Sequence, residues 1–191
     1  MTRAKYGIFS IIALSAIIGI ASISAFSQEL QIQTEVDTAK VYGHFTLVVN
    51  DENGFITGYQ QTDNLVVDRG LDCMGDLVFG TTLCTAEALY QFIEIGTGST
   101  APTLADLTIE TAIGGCARVQ DATPFGNSTI SGEITTTVES VFLGTTCAAS
   151  VTEAAVFDAI TTGNIIARST FGVVTVGASD QLTVTYNIKF D

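Results

Sequence analysis

Four cysteines, one histidine and 20 acidic side chains are what this 191-residue chain offers to chemistry. Cys73, Cys84, Cys116 and Cys147 are separated by 10, 31 and 30 residues. There is no Cys-x-x-Cys pair and His44 is the only histidine, so the spacing lacks the paired ligands of a zinc or iron–sulfur centre. An even set of cysteines in a chain with an export leader favours disulfides. Of the three ways to pair four cysteines, closure between near neighbours prefers Cys73 with Cys84 and Cys116 with Cys147. The alternative is four buried thiols acting as small hydrophobes.

No catalytic motif emerges. The sequence has no Gly-x-Ser-x-Gly elbow and no phosphate loop, and one histidine cannot serve several base-dependent schemes. Two carboxylates facing across a cleft would suit glycoside hydrolysis, but the absence of tryptophan weakens any sugar-stacking site. Gly96-Thr-Gly98-Ser-Thr-Ala101 spells a dinucleotide fingerprint, yet no acid stands near Gly114 to Ala117 to meet a ribose, and the chain lacks βαβ alternation. A glycine-rich loop is expected there. Asp51-Glu52-Asn53-Gly54 opens like a calcium loop, but Thr62 occupies the place of the late acidic ligand, which leaves a tight turn. His44, beside Phe45, reads as an ordinary strand residue. Asn127-Ser128-Thr129 is an N-glycosylation acceptor, expected in a loop because of Pro124 and Gly126. The expectation is a protein without catalysis, cofactor or dedicated metal site.

The elements that carry these residues read as strands. From Leu182 the apolar positions alternate, Leu182, Val184, Tyr186, Ile188 and Phe190 against Thr183, Thr185, Asn187 and Lys189, which is a half-buried strand. Ala154 to Phe157 and Ile165 to Arg168 flank Thr161-Thr162-Gly163-Asn164 as a hairpin. Val41 to Val49 and Phe55 to Tyr59 form another hairpin around the Asn-Gly turn. Further strands are expected over Gln91 to Ile95 and over the Thr-rich run Ile130 to Val141. Leu71, Met74, Leu77 and Val78 recur at helical spacing, predicting one short helix that starts from Asp63 or Asn64 and stops at Gly80. The fold class is mainly β, an antiparallel sandwich of jelly-roll or Ig-like type.

Glu153-Ala-Ala-Val-Phe-Asp158, Thr162-Gly-Asn-Ile-Ile-Ala-Arg168 and the alternating final strand resemble the C-terminal half of tailed-phage virion proteins. The likeness extends to Asn64-Leu-Val-Val-Asp-Arg-Gly-Leu71 and Phe92-Ile-Glu-Ile-Gly-Thr-Gly-Ser-Thr-Ala-Pro102, covering roughly residues 60–191. It implies a small, β-rich structural module without catalysis.

Residues 1–27 stand apart. Arg3 and Lys5 precede an uncharged, Ile-rich run from Tyr6 to Phe26, with Ala25 and Ser27 placed for cleavage before Gln28. The reading is a signal peptide, or an anchor spanning a membrane through residues 6–26 if it is retained. The leader is also similar in style to those of archaeal surface proteins. The rest, 191 less 27 or 164 residues, is one domain with enough chain for a core. Without Arg3 and Lys5 the formal charge is 5 minus 20, or −15, which repels nucleic acid and anionic lipid and leaves divalent cations as candidate bridges. Leu30, Ile32, Thr34 and Val36 alternate with polar residues just beyond the leader, as a strand donated to a neighbouring subunit would. The functional expectation is an exported structural subunit whose partner is itself, in a filament, coat or virion-like assembly. The alternative is a monomeric adhesive or ligand-binding module.

Overall fold

The computed structural model describes residues 40–80, 89–121, 126–130 and 133–190. Ala39–Asp191 forms one compact unit, built on two antiparallel sheets. The strands are β1 (Val41–Asn50), β2 (Ile56–Asp63), β3 (Leu65–Val66), β4 (Phe92–Gly96), β5 (Val119–Gln120), β6 (Gly126–Ile130), β7 (Glu133–Leu143), β8 (Ala149–Phe157), β9 (Ile165–Val176) and β10 (Gln181–Phe190). One sheet runs β2-β1-β10-β7-β6 and the other β3-β9-β8-β4-β5. Among the described residues two helices join them, α1 (Asp68–Phe79) and the single turn α2 (Gly144–Cys147).

The period-two pattern at the C-terminus becomes β10 at the centre of the first sheet, paired with β1 and β7. Leu182, Val184, Tyr186 and Ile188 are buried together with Phe45, Leu47, Val49, Val138 and Phe142, while the intervening residues face outward. The two sheets pack on this cluster, with Ile93, Ile95, Val151, Val156 and Ile166 supplied from the second sheet. In that second sheet the alternation fails: Ala154 to Phe157 and Ile165 to Ser169 are buried without a break. Val67 and Ile109 cover its other side, clustering with Ala155, Phe157 and Ile165, and a strand buried on both faces has no polar face to show.

Both corners of the sandwich are stitched by a buried serine. The chain leaves the first sheet after Asp63 and joins the second at Leu65, so Asn64 is the point of transfer, as where strands switch sheets at a corner. Here Ser169 Oγ donates to the Asp63 carbonyl at 2.9 Å. At the opposite corner Ser140 Oγ donates to the Val119 carbonyl at 2.9 Å. Asn64 sits over Gly43, where a Cβ would strike its amide oxygen. The buried Tyr186 hydroxyl is adjacent but out of hydrogen-bonding geometry. Burial raises the Tyr186 pKa.

Several boundaries differ from expectation. The helix begins at Asp68 after Val67, not at Asp63 or Asn64, because the β-branched Val66 and its neighbour Leu65 pair with Ala167 and Arg168 first. Its packed side is Gly70, Cys73 and Met74, with Leu71 exposed. A Cβ at Gly70 would come within 2.7 Å of the Ile166 backbone, so a glycine lets helix and strand approach. Gly80 ends the helix as expected, left-handed at φ 71° with its N–H on the Asp76 carbonyl. The Thr-rich run is two paired strands, β6 and β7, and Asn127 lies within β6 opposite Thr136, not in a loop. A second helix, α2, was not expected. The Asp51 turn is as read: the Asp51 carboxylate accepts from the Asn53 and Phe55 amides, both at 2.9 Å, and these bonds, that from Phe55 foremost, hold its pKa low.

Candidate functional site

Strands β8 and β9 and the loop between β4 and β5 meet in one polar network. At its centre is Glu153, on β8 and fully buried. Its Oε1 accepts from the Gly98 and Thr111 amides, both at 2.8 Å, and its Oε2 accepts from the Glu110 amide at 2.9 Å. Arg168, on β9 and 3% exposed, donates from Nε at 3.0 Å and from a terminal nitrogen at 2.9 Å to the same Oε2. A carboxylate taken from water needs this many donors, because an unpaired buried charge costs several kcal/mol.

Arg168 then extends the network into the loop between β4 and β5. It reaches Asp106 at 2.8 Å and the Thr100 carbonyl at 3.1 Å, with Glu110 at 3.7 Å. Glu110 accepts from the Ser99 and Thr100 amides and the Thr100 hydroxyl. These Thr100 bonds lead the effects that hold the Glu110 carboxyl low. Burial alone would raise Asp106, but its hydrogen bonds from Thr103 and Arg168 outweigh that and hold it low as well. For Arg168 burial works against the charge, and Asp106 and Glu153 more than restore it. All three stay ionised at neutral pH, which suits anchors more than proton donors. Gly96 and Gly98 are the consequence of this packing, since a Cβ at either would run into Glu153 Oε1. The Gly-x-Gly run therefore wraps a carboxylate of its own chain.

The hairpin turn between β8 and β9 is locked in the same style. The Asp158 carboxylate accepts from the Asn164 amide and side chain at 2.6 and 2.7 Å, and Arg69 Nε donates to Asn164 Oδ1 at 2.7 Å. Arg118 pairs with Glu94 at 2.7 Å, donates to the Ala159 and Thr162 carbonyls, and lies 3.4 Å over the Phe157 ring. Beside Arg168 opens a cleft of about 530 Å³, lined by Thr100, Asp106, Leu107 and Glu110.

The other expected site residues are scattered. Cys116 and Cys147 form a disulfide, as expected, tying the segment before β5 to α2. Cys73 is buried on α1 and disulfide-bonded, while Cys84 lies outside the described residues. So do Leu30, Ile32, Thr34 and Val36, together with residues 6–26. His44 is an outward strand residue paired with Asp63 at 3.0 Å. Sequence reading missed the roles of Glu153 and Arg168, although a charged residue inside each of two apolar strand runs was the available signal. The chain matches no protein-family model, and no curated protein is significantly similar to it.

Proposed function

We propose that this protein is an exported, non-catalytic structural subunit that associates with copies of itself outside the cell, with residues 28–37 donated as a strand to a neighbour. The observation that carries this reading is the open end of the first sheet. Val41, Phe190 and Ile134 stand in register there as the last row of the core face, and Ile134 and Phe190 remain exposed. The alternating segment Leu30, Ile32, Thr34, Val36 has the period-two pattern of a strand added to a sheet edge, and this row leaves apolar surface uncovered at the end of the sheet where such a strand from a second copy would enter. The nested pairings β1 with β10, β3 with β9, β4 with β8 and β6 with β7 favour a jelly-roll type of sandwich over an Ig-like one, whose terminal strands are not paired in this way. The disulfide fits an oxidising, extracellular setting.

Deleting residues 28–37 from the exported protein tests the reading. The expected product is a folded monomer whose assembly returns when a peptide of residues 28–37 is added. Continued polymerisation of the truncated chain, or unfolding without rescue, defeats it. A monomeric binding module is the second reading, favoured by the cleft beside Arg168 and the exposed Leu104 and Leu107 on its loop. It predicts a full-length protein that sediments as a monomer at every concentration.

A further inference from the structure

Beyond residue 27 the chain carries five basic side chains, Lys40, Arg69, Arg118, Arg168 and Lys189. The three arginines are held by the β8–β9 hairpin turn and the Glu153 network. Both lysines and the only histidine gather instead at one end of the first sheet. Lys40 precedes Val41, Lys189 lies opposite Tyr42, and His44 lies opposite Asn187. A cleft of about 480 Å³ opens there, lined by Tyr42, His44, Asp63, Thr135, Asn187 and Lys189. That volume lies within the range of about 300 to 1,000 Å³ that small ligands occupy. The lining falls in two rows. Lys189 stands between Tyr42 and Thr135 in one, and Asp63, His44 and Asn187 make the next. Two members of the second row are fixed by neighbours: His44 Nδ1 bonds the Asp63 carboxylate at 3.0 Å, and Thr137 Oγ1 donates to Asn187 Oδ1 at 2.7 Å. With those atoms engaged, His44 offers its Nε2 and Asn187 its amide nitrogen.

We propose that this cleft binds a uronate unit of an acidic saccharide, a ligand with a carboxylate at one end and hydroxyls at the other. The two rows differ in charge, and that difference selects the ligand. An ammonium between two hydroxyls presents donors to a carboxylate. The second row presents the Asp63 carboxylate, which accepts from hydroxyls and repels an anion. A plain anion therefore suits only the first row, and a neutral sugar gains nothing from the ammonium. A uronate uses both. Same-face residues of a strand stand about 7 Å apart, the reach of a hexuronate from its carboxylate across the ring. Tyr42, 49% exposed, supplies an aromatic face for that ring in a chain without tryptophan. The excess of 20 acidic over five basic side chains repels an acidic saccharide from the rest of the surface, which directs it to this end of the sheet.

The site stands apart from the self-association proposed above, since a coat subunit and a monomeric module would hold it alike. Equilibrium dialysis of the exported protein, which works for assembled and single chains, tests it with trimers of galacturonic acid and of glucuronic acid, with the methyl esters of both, and with sodium acetate. The expected result is saturable binding of at least one acidic trimer, with its ester and acetate bound at least tenfold more weakly. Lys189→Gln and Tyr42→Ala are each expected to weaken that binding at least tenfold with unchanged thermal melts. Asp63→Asn is expected to weaken it as well, whereas it would strengthen a site for a simple anion. Absence of saturable binding by both acidic trimers overturns the proposal. So do an ester that binds as tightly as its acid, acetate that binds as tightly as the trimer, and folded variants that bind as the wild type does. The ester comparison needs no variant and decides the case even where a substitution unfolds the chain.

Discussion

Glu153 holds three backbone amides and one guanidinium, so its removal is not repaired by removing its charged partner. Replacing a buried ion pair by apolar residues is often neutral or stabilising, whereas breaking it costs about 3 to 5 kcal/mol. Glu153→Gln is expected to destabilise the fold by that amount in urea denaturation. The double variant Glu153→Leu, Arg168→Leu is expected to remain destabilised, because the Gly98, Glu110 and Thr111 amides lose their acceptor. A double variant as stable as the wild type would show that the network is dispensable. The network also sets a pH dependence. Asp106 and Glu110 are held below their ordinary pKa values when folded, so the stability they add is complete above the unfolded range of about 4. It is lost as pH falls below that range through the depressed folded values. Hydrogen exchange at the Ser99 and Thr100 amides should therefore accelerate below about pH 4, beyond the intrinsic pH effect, and stay protected from pH 5 to 8. Protection unchanged down to pH 2 would contradict this.

At the level of elements, the Cys116–Cys147 bridge closes a span of 31 residues containing β5, β6 and β7. Limiting the unfolded chain in this way is worth about 2 to 4 kcal/mol. Reduction, checked by mass, should lower the melting temperature; an unchanged melt would make the cysteines simple core filling. The strands themselves were largely legible in the sequence, because β1 and β10 face water on one side and the core on the other and so display a period of two. The β1–β2 and β8–β9 hairpins were legible from their turn residues. What escaped the sequence in the second sheet was β3, β5 and the burial of β8 and β9 on both faces. Strands buried on both faces carry no alternation, and Leu65 and Val66 were absorbed into the neighbouring helical pattern because a two-residue strand has no period at all. Ile130 to Val141 was read as one strand, although Ile130 ends β6 and Glu133 begins β7, because its Ser, Gly and Thr residues suit a strand face and mark no break. The Glu153–Arg168 network was invisible for a different reason, since its partners lie 15 to 68 residues apart and no local pattern announces a long-range hydrogen bond.

For the whole molecule the governing fact is acidity. Like-charged copies separated by more than a few ångströms repel through water, and salt screens that repulsion with a Debye length falling from about 30 Å at 0.01 M to about 8 Å at 0.15 M. Contacts between apolar side chains are not weakened by the same salt. Self-association is therefore expected to strengthen as sodium chloride rises from 0.01 to 0.5 M, read as a higher weight-average mass in sedimentation equilibrium. An assembly that dissolves with salt would point to ion pairs as its bond. The pairing of β1 with β10, Val41 opposite Phe190, has a mechanical side. Both strands reach the same end of the sheet, so tension applied between those two ends opens their ladder rung by rung, with each bond bearing the load alone. A load entering through residue 40 and leaving through a flank of the sheet instead pulls along β1 and strains many of its bonds at once. A fibre joined by leading strands that pair along a neighbour's flank would transmit force by the second route, and its subunits would resist stretching far better than the same domain pulled by its two ends.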